Sequence, residues 1–299
     1  MNIHALSKKA FMYTKLMLLP FSLLVLINCS QQQTGDTARS GAMTLAADSQ
    51  LEKIAKTQVE MFRSYYPEAK VSILPMAPVK TMERLLDKSA RAALISGDFD
   101  AAEDSLFSEL KTPLRKEPVA LDAVVCIAAR TNPVKTLSVK ELASLVSGKG
   151  QSLTIFVKKD DYRLISVFSR LEDLKKNELH AWSCSNDIEL IDRVSASNNA
   201  YGLLFSSSLE SARISGADLE KIKLIPVSGK STENKAYLPD RENIFEGLYP
   251  LVTTVYYVYY PGDALAAGFG SWISSAGQKA FERSPYIPFR LTQRTIILR

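Results

Sequence analysis

Histidine, cysteine and tryptophan are scarce: the 299-residue chain holds two, three and two of them. His4 falls in a leader-like start, so His180 is the one histidine left to a mature protein. That count excludes zinc centres built on several imidazoles and leaves little scope for a serine–histidine hydrolase. The sequence also lacks a Gly-x-Ser-x-Gly elbow, a phosphate loop and a metal-binding helix motif. Gly268-Phe269-Gly270-Ser271 mimics an elbow, but it sits inside a helical apolar pattern ahead of Trp272. Positive charge is not blocked either. The net +5 is spread along the chain, without the clustered Lys and Arg that nucleic-acid binding requires. Neither an internal repeat nor a low-complexity domain is present. These absences predict no enzyme, no cofactor, no metal and no nucleic-acid partner. Mild basicity stays compatible with an anionic ligand.

Hydrophobic residues make up 46% and charged residues 23%, ordinary globular usage. The start is different. Lys8, Lys9 and Lys15 precede an apolar run over 16–27, a dozen residues against the roughly 20 that span a bilayer. This pattern predicts a signal peptide over residues 1–28. Leu26-Ile27-Asn28-Cys29 resembles a bacterial lipobox, with Asn28 in place of the usual small residue. Cys29 is therefore the expected lipidation site, carrying palmitate-type acyl chains and anchoring the chain to a membrane of the cell envelope, facing the periplasm or the exterior. Residues 29–42 contain little that can be buried and read as a flexible tether. Cys126 and Cys184 remain, either as two buried thiols or as a bridge.

Beyond the tether, apolar periodicity alternates between strand and helix. A strand over 43–46 leads into an amphipathic helix over 48–66 with Leu51, Ile54, Val59 and Phe62 on one face. Pro67 ends it, 69–74 reads as a strand, Pro78 opens a helix to 91, and 91–96 is a strand. The middle repeats the alternation. A strand over 121–130 is broken at Asn132-Pro133, and Ser138 with Glu141 forms a capping box for a helix that stops at Gly148. A strand over 153–157 and helices over 162–175 and 187–196 follow. Next come a strand over 201–205, a helix over 207–214 and a strand over 222–227. A polar loop over 228–246, a strand over 251–260 and a helix after Pro261-Gly262-Asp263 complete the pattern. Crossover helices between strands imply an α/β class with parallel sheets, two of them.

Three segments in this order resemble one family. The first is Leu121-Asp122-Ala123-Val124-Val125 followed by Asn132-Pro133, Leu137-Ser138, Glu141-Leu142 and Gly148. The second is Ala200-Tyr201-Gly202-Leu203. The third runs from Gly247-Leu248-Tyr249-Pro250-Leu251 through Gly268-Phe269 to Gly277-Gln278-Lys279 and Pro288. Together they resemble the phosphate-binding proteins of ABC phosphate import, in divergent form, over roughly residues 43–290. The resemblance implies a two-lobed, type II periplasmic-binding-protein-like α/β fold whose lobes are joined by crossing hinge strands. Residues 43–121 plus 249–299 would form lobe 1 and residues 122–248 lobe 2. A small anion, phosphate or a related oxyanion, would lie in the cleft and be delivered to an ABC-transporter permease. Helix N-termini suit such a guest, because their unpaired N–H groups and dipole favour negative charge.

The site departs from the family pattern. Where relatives show Arg-x-Asp-x-Ser-Gly-Thr after a second-lobe strand, this chain reads Lys158-Lys159-Asp160-Asp161-Tyr162-Arg163. The first-lobe loop that is Gly- and Ser-rich in relatives is Met76-Ala77-Pro78-Val79-Lys80-Thr81, and Pro78 removes an N–H donor. The ligand-binding set expected here is Asp48 and Ser49 with Lys80, Thr81, Ser96, Lys158 and Arg163. Hydroxyls would come from Ser49, Thr81 and Ser96, and positive charge from Lys80, Lys158 and Arg163. The bland roles are helix capping for Asp48 and Ser49 and solvation for the charges. Two functions stay open: anion capture for a transporter, or a non-transport envelope lipoprotein that uses the fold for sensing or protein interaction with a degenerate ligand site.

Overall fold

A computed structural model describes residues 35–149, 153–229 and 235–290. The expected signal peptide, Cys29 and the residues after 290 lie outside the described residues, and so does the expected tether before Gly35. Among the described residues no helix is long and apolar enough to cross a membrane.

The first stretch alternates strand and helix. β1 (Gly41–Asp48) leads through one 3-10 turn into α1 (Glu52–Tyr65), which buries Ile54, Ala55 and Phe62 at helical spacing. β2 (Ala69–Met76) is followed by α2 (Pro78–Leu86), whose Pro sits at the start, where no N–H is needed. After β3 (Ala92–Ser96) comes α3 (Ala101–Glu109), opened by a capping box between Asp100 and Glu103. β4 (Arg115–Ala129) is longer than the predicted strand over 121–130, because its first half is paired as well.

The middle stretch holds β5 (Leu137–Ser138), α4 (Val139–Val146) and β6 (Thr154–Lys158). The Ser138–Glu141 capping box forms as its spacing predicts. The helix expected over 162–175 is instead a 3-10 turn (Tyr162–Ile165) and a short α5 (Ser166–Glu172), ended by Asp173 at φ 54°. β7 (Trp182–Cys184), α6 (Asp187–Ser195), β8 (Ala200–Phe205) and α7 (Ser206–Ile214) follow, then β9 (Ile222–Leu224). The loop expected over 228–246 contains β10 (Val227–Ser228), β11 (Ala236–Tyr237) and α8 (Arg241–Phe245), the last capped by Asp240. β12 (Val252–Tyr259), α9 (Ala264–Ile273), α10 (Gln278–Glu282) and β13 (Ile287–Pro288) close the described chain.

The strands follow the order β2-β1-β3-β12-β4-β8-β6-β7. β1 runs parallel to β2 and β3, and β6 runs parallel to β7 and β8. β4 belongs to both groups. Its residues up to Ala123 pair antiparallel with β12, and from Val124 onward they pair with β8 and β9. A second crossing runs beside it, where the Val124 N–H donates to the Leu251 carbonyl at 2.9 Å. Each group buries its own core. Leu45, Phe62, Leu94, Tyr257 and Phe269 fill the first, with Phe62 set edge-on to Phe269 at 5.1 Å. Cys126, Leu142, Phe168, Leu203 and Phe205 fill the second. Tyr257 and Tyr259 are packed in the first core rather than presented as an aromatic platform. Cys126 and Cys184 are free buried thiols, which closes the alternative of a bridge. The architecture is a mixed α/β fold of the type II periplasmic-binding-protein-like kind, and both strand groups belong to one compact unit that begins at Thr37.

Candidate functional site

Loops at the carboxyl ends of β1, β3 and β6 converge where the two strand groups face one another, the usual place for a ligand in open α/β sheets. Asp48 ends β1 and is fully buried. It opens the 3-10 turn without making a side-chain capping bond, so its carboxylate is free to turn inward. There it accepts hydrogen bonds from the Ser96 backbone N–H at 2.8 Å and the Ser96 hydroxyl at 3.0 Å.

Arg163 enters the same spot from the other strand group. It stands in the turn after β6, and its side chain is 1% exposed. Nη1 lies 3.4 Å from Asp48 Oδ2, and Nη2 lies 3.0 Å from Glu103 Oε1. The guanidinium also sits 5.7 Å from the Phe99 ring centre. Gly97 makes the approach possible. At φ 85° it occupies a conformation that disfavours side chains, and an added Cβ would stand 2.9 Å from Arg163 Cβ. Burial raises the Asp48 pKa, opposed by the Arg163 charge, the Ser96 N–H and the hydroxyls of Thr81 and Ser96.

The other cationic and donor groups of the cleft are met in the same way. Lys158 Nζ lies 3.1 Å from Asp161 and 3.4 Å from Asp187. Burial works to lower the Lys158 pKa, but these two carboxylates outweigh it and raise the value. Burial pushes Asp161 up to about 6. Arg170 pairs with Asp98 at 3.1 Å and donates to the Val252 carbonyl at 2.8 Å. The N-terminus of α7, a natural oxyanion seat, is taken by Asp122. That carboxylate accepts from the Ser207 N–H at 3.2 Å and the Ser207 hydroxyl at 2.5 Å, and burial lifts its pKa to about 6. Three cations thus face five carboxylates, with a sixth at the helix end. Within the cleft, the protein supplies its own anions.

Of the residues named from sequence, Asp48, Ser96 and Arg163 are in direct contact, and Thr81 is buried with its hydroxyl toward Asp48. Ser49 and Lys158 line an adjoining cavity of about 490 Å³ with Gln50, Asp187, Ser207 and Ser208. Lys80 is not brought in. It is exposed and pairs with Glu83, 2.7 Å away on its own helix. Sequence reasoning missed Glu103, Asp98, Asp161 and Arg170. The Asp100-x-x-Glu103 spacing ahead of Leu106 and Phe107 signals a helix start after β3, but not that Glu103 would reach a residue sixty positions away. Among the described residues no group of three or more His, Cys, Asp or Glu is arranged to hold a metal ion.

The family model described as a PBP superfamily domain matches residues 32–276, and the chain belongs to that superfamily. Among solved structures, it is similar to a putative phosphate ABC transporter substrate-binding protein with bound phosphate from Clostridium perfringens. Identity is 15%, the match covers 84% of this chain and 100% of the other, and the TM-score is 0.64. An ABC-type phosphate transport receptor from Vibrio cholerae is similar at 17% identity, covering 83% and 100%, with a TM-score of 0.66. The fold also resembles the sulfate-bound regulatory domain of OxyR2 from Vibrio vulnificus, at 9% identity, 80% and 95% coverage and a TM-score of 0.51. No curated protein matches the chain by sequence.

Proposed function

We propose that this chain is an exported lipoprotein, anchored through Cys29 in the cell envelope, that has kept the phosphate-binding-protein fold but no longer captures free phosphate at the family position. It serves as a non-enzymatic sensing or protein-interaction module. One observation carries the reading: Arg163, buried at the meeting of the two strand groups, is already held by Asp48 and Glu103. An incoming dianion would have to displace two fixed carboxylates and would sit beside Asp161 and Asp98. Like charges at a few ångströms oppose that strongly in a water-poor site. The similarity to a regulatory domain supports the view that the fold does not require transport. Titration calorimetry of the mature protein with phosphate, sulfate and molybdate tests it. Silence for all three is expected, and micromolar phosphate binding overturns the reading. Mass spectrometry of the native protein, looking for an acylated Cys29, tests the anchor.

A second reading rests on the adjoining cavity. Lys53, Lys158, Ser49 and Ser208 line it, and the structural neighbours with phosphate in their names support anion capture for an ABC permease. Asp187 lines the same cavity and pairs with Lys158, which argues for a weaker or different anion there. Phosphate binding abolished by Lys158→Met would favour this reading over the first.

A further inference from the structure

We propose that a groove between α1, α7 and the segment around α10, which shares Gln50, Lys53 and Ser211 with the cavity adjoining the cleft, docks an acidic, partly apolar segment of a partner protein. The inference rests on the interaction-module reading and supplies its partner chemistry. The groove measures about 1140 Å³, above the roughly 300–1,000 Å³ of ordinary small-molecule sites, so it suits a stretch of chain better than a solute. Its apolar surface comes from Ile54, Met61 and Ile214, the last 60% exposed. Basic groups outnumber acidic ones: Lys53, Arg241, Lys279 and Arg283 line it with Glu210 and Glu282, and Glu210 is already held by Arg213 at 2.5 Å. Arg241 Nη1 donates to the carbonyls of Ser284 and Tyr286, each at 3.0 Å, which fixes the wall that carries Arg283.

An excess of cations beside the exposed Ile214 and the half-buried Met61 matches a segment that alternates acidic and apolar residues. The charges would steer and orient such a segment, and the apolar floor would hold it. The walls come from both strand groups: α1 and α10 pack with the first, α7 and Arg241 with the second. The width of the groove therefore depends on the arrangement that Arg163, Asp48 and Glu103 hold together.

The test uses the mature full-length protein and a fluorescent synthetic peptide alternating Asp or Glu with Leu, read by anisotropy at low and at 0.5 M salt. Saturable binding is expected, weakened at least tenfold by the Lys279→Glu and Arg283→Glu double variant and by the added salt. Both positions are exposed, so the variant's thermal unfolding should match the parent. Three results overturn the proposal: no binding of the acidic peptide, equal binding by the double variant, or equal binding of a Lys–Leu peptide. Inorganic polyphosphate competing as well as the peptide would also overturn it, showing a polyanion site instead. Lys279 and Arg283 line the groove but not the adjoining cavity, so the double variant tests the groove while calorimetry with phosphate tests anion capture, and a silent peptide with silent phosphate removes this groove without restoring phosphate capture.

Discussion

Replacing Arg163 with methionine keeps most of the side-chain volume and removes the charge. Asp48, fully buried, would then keep only its Ser96 and Thr81 hydrogen bonds, and Glu103, 13% exposed, would lose its Arg163 contact as well. Removing one member of a buried pair costs about 3–5 kcal/mol. An independent bound comes from protonation. Asp48 can escape its burial by taking a proton, which at pH 7 costs at most about 4 kcal/mol from an unfolded pKa near 3.9. The two arguments agree on a loss of about 3–4 kcal/mol at pH 7. At pH 5 the protonation route costs only about 1.5 kcal/mol, so the loss should fall toward 2 kcal/mol or less. Adding Asp48→Asn to Arg163→Met removes the orphaned charge and should recover more than half of the loss at pH 7. Urea unfolding of the wild type, both single variants and the double variant, at the two pH values, measures all of this. A loss below about 1 kcal/mol at pH 7 would mean that Asp48 is already neutral beside Arg163. Strict additivity in the double variant would mean that the two groups do not interact. Either result refutes the idea of a cleft neutralised from within.

Gly97→Ala should cost at least about 2 kcal/mol, from positive φ and from the crowding of Arg163 Cβ, and urea midpoints would show it. Asp122 has a folded pKa of about 6, above its unfolded value, so the folded chain binds its proton more readily. Stability from this group is gained as pH falls through 6 and levels off near 4. Unfolding free energy should carry an increment of about 1 kcal/mol from Asp122 between pH 7 and pH 5, and Asp122→Asn should erase it. Burial drives the Cys126 thiol up to about 12, and Cys184 is 1% exposed with its thiol raised by burial. A thiol reagent should label neither in native protein and both in urea; rapid native labelling of Cys126 would contradict its placement.

Much of the fold was legible because it follows from local patterns. The apolar spacing in α1, the proline that opens α2 and the Ser138–Glu141 box each specify an element without distant help. Three short elements were not read: α3 and α8 carry little local signal beyond an N-terminal box or cap, and β7 takes its order from pairing with β6. The site divides along the same line. The family resemblance, with the position of Asp48 at a helix start, brought out Asp48, Ser96 and Arg163 as polar groups on cleft-forming loops. Their charge balance depends on partners 48 to 115 positions away, and no local spacing encodes those distances. Residue types thus settled an α/β chain with polar loops at its strand ends. Only the folded arrangement decided that Arg163 meets Asp48 and Glu103, because burial leaves a charge no water to answer it and the nearest opposite charge in space does so instead.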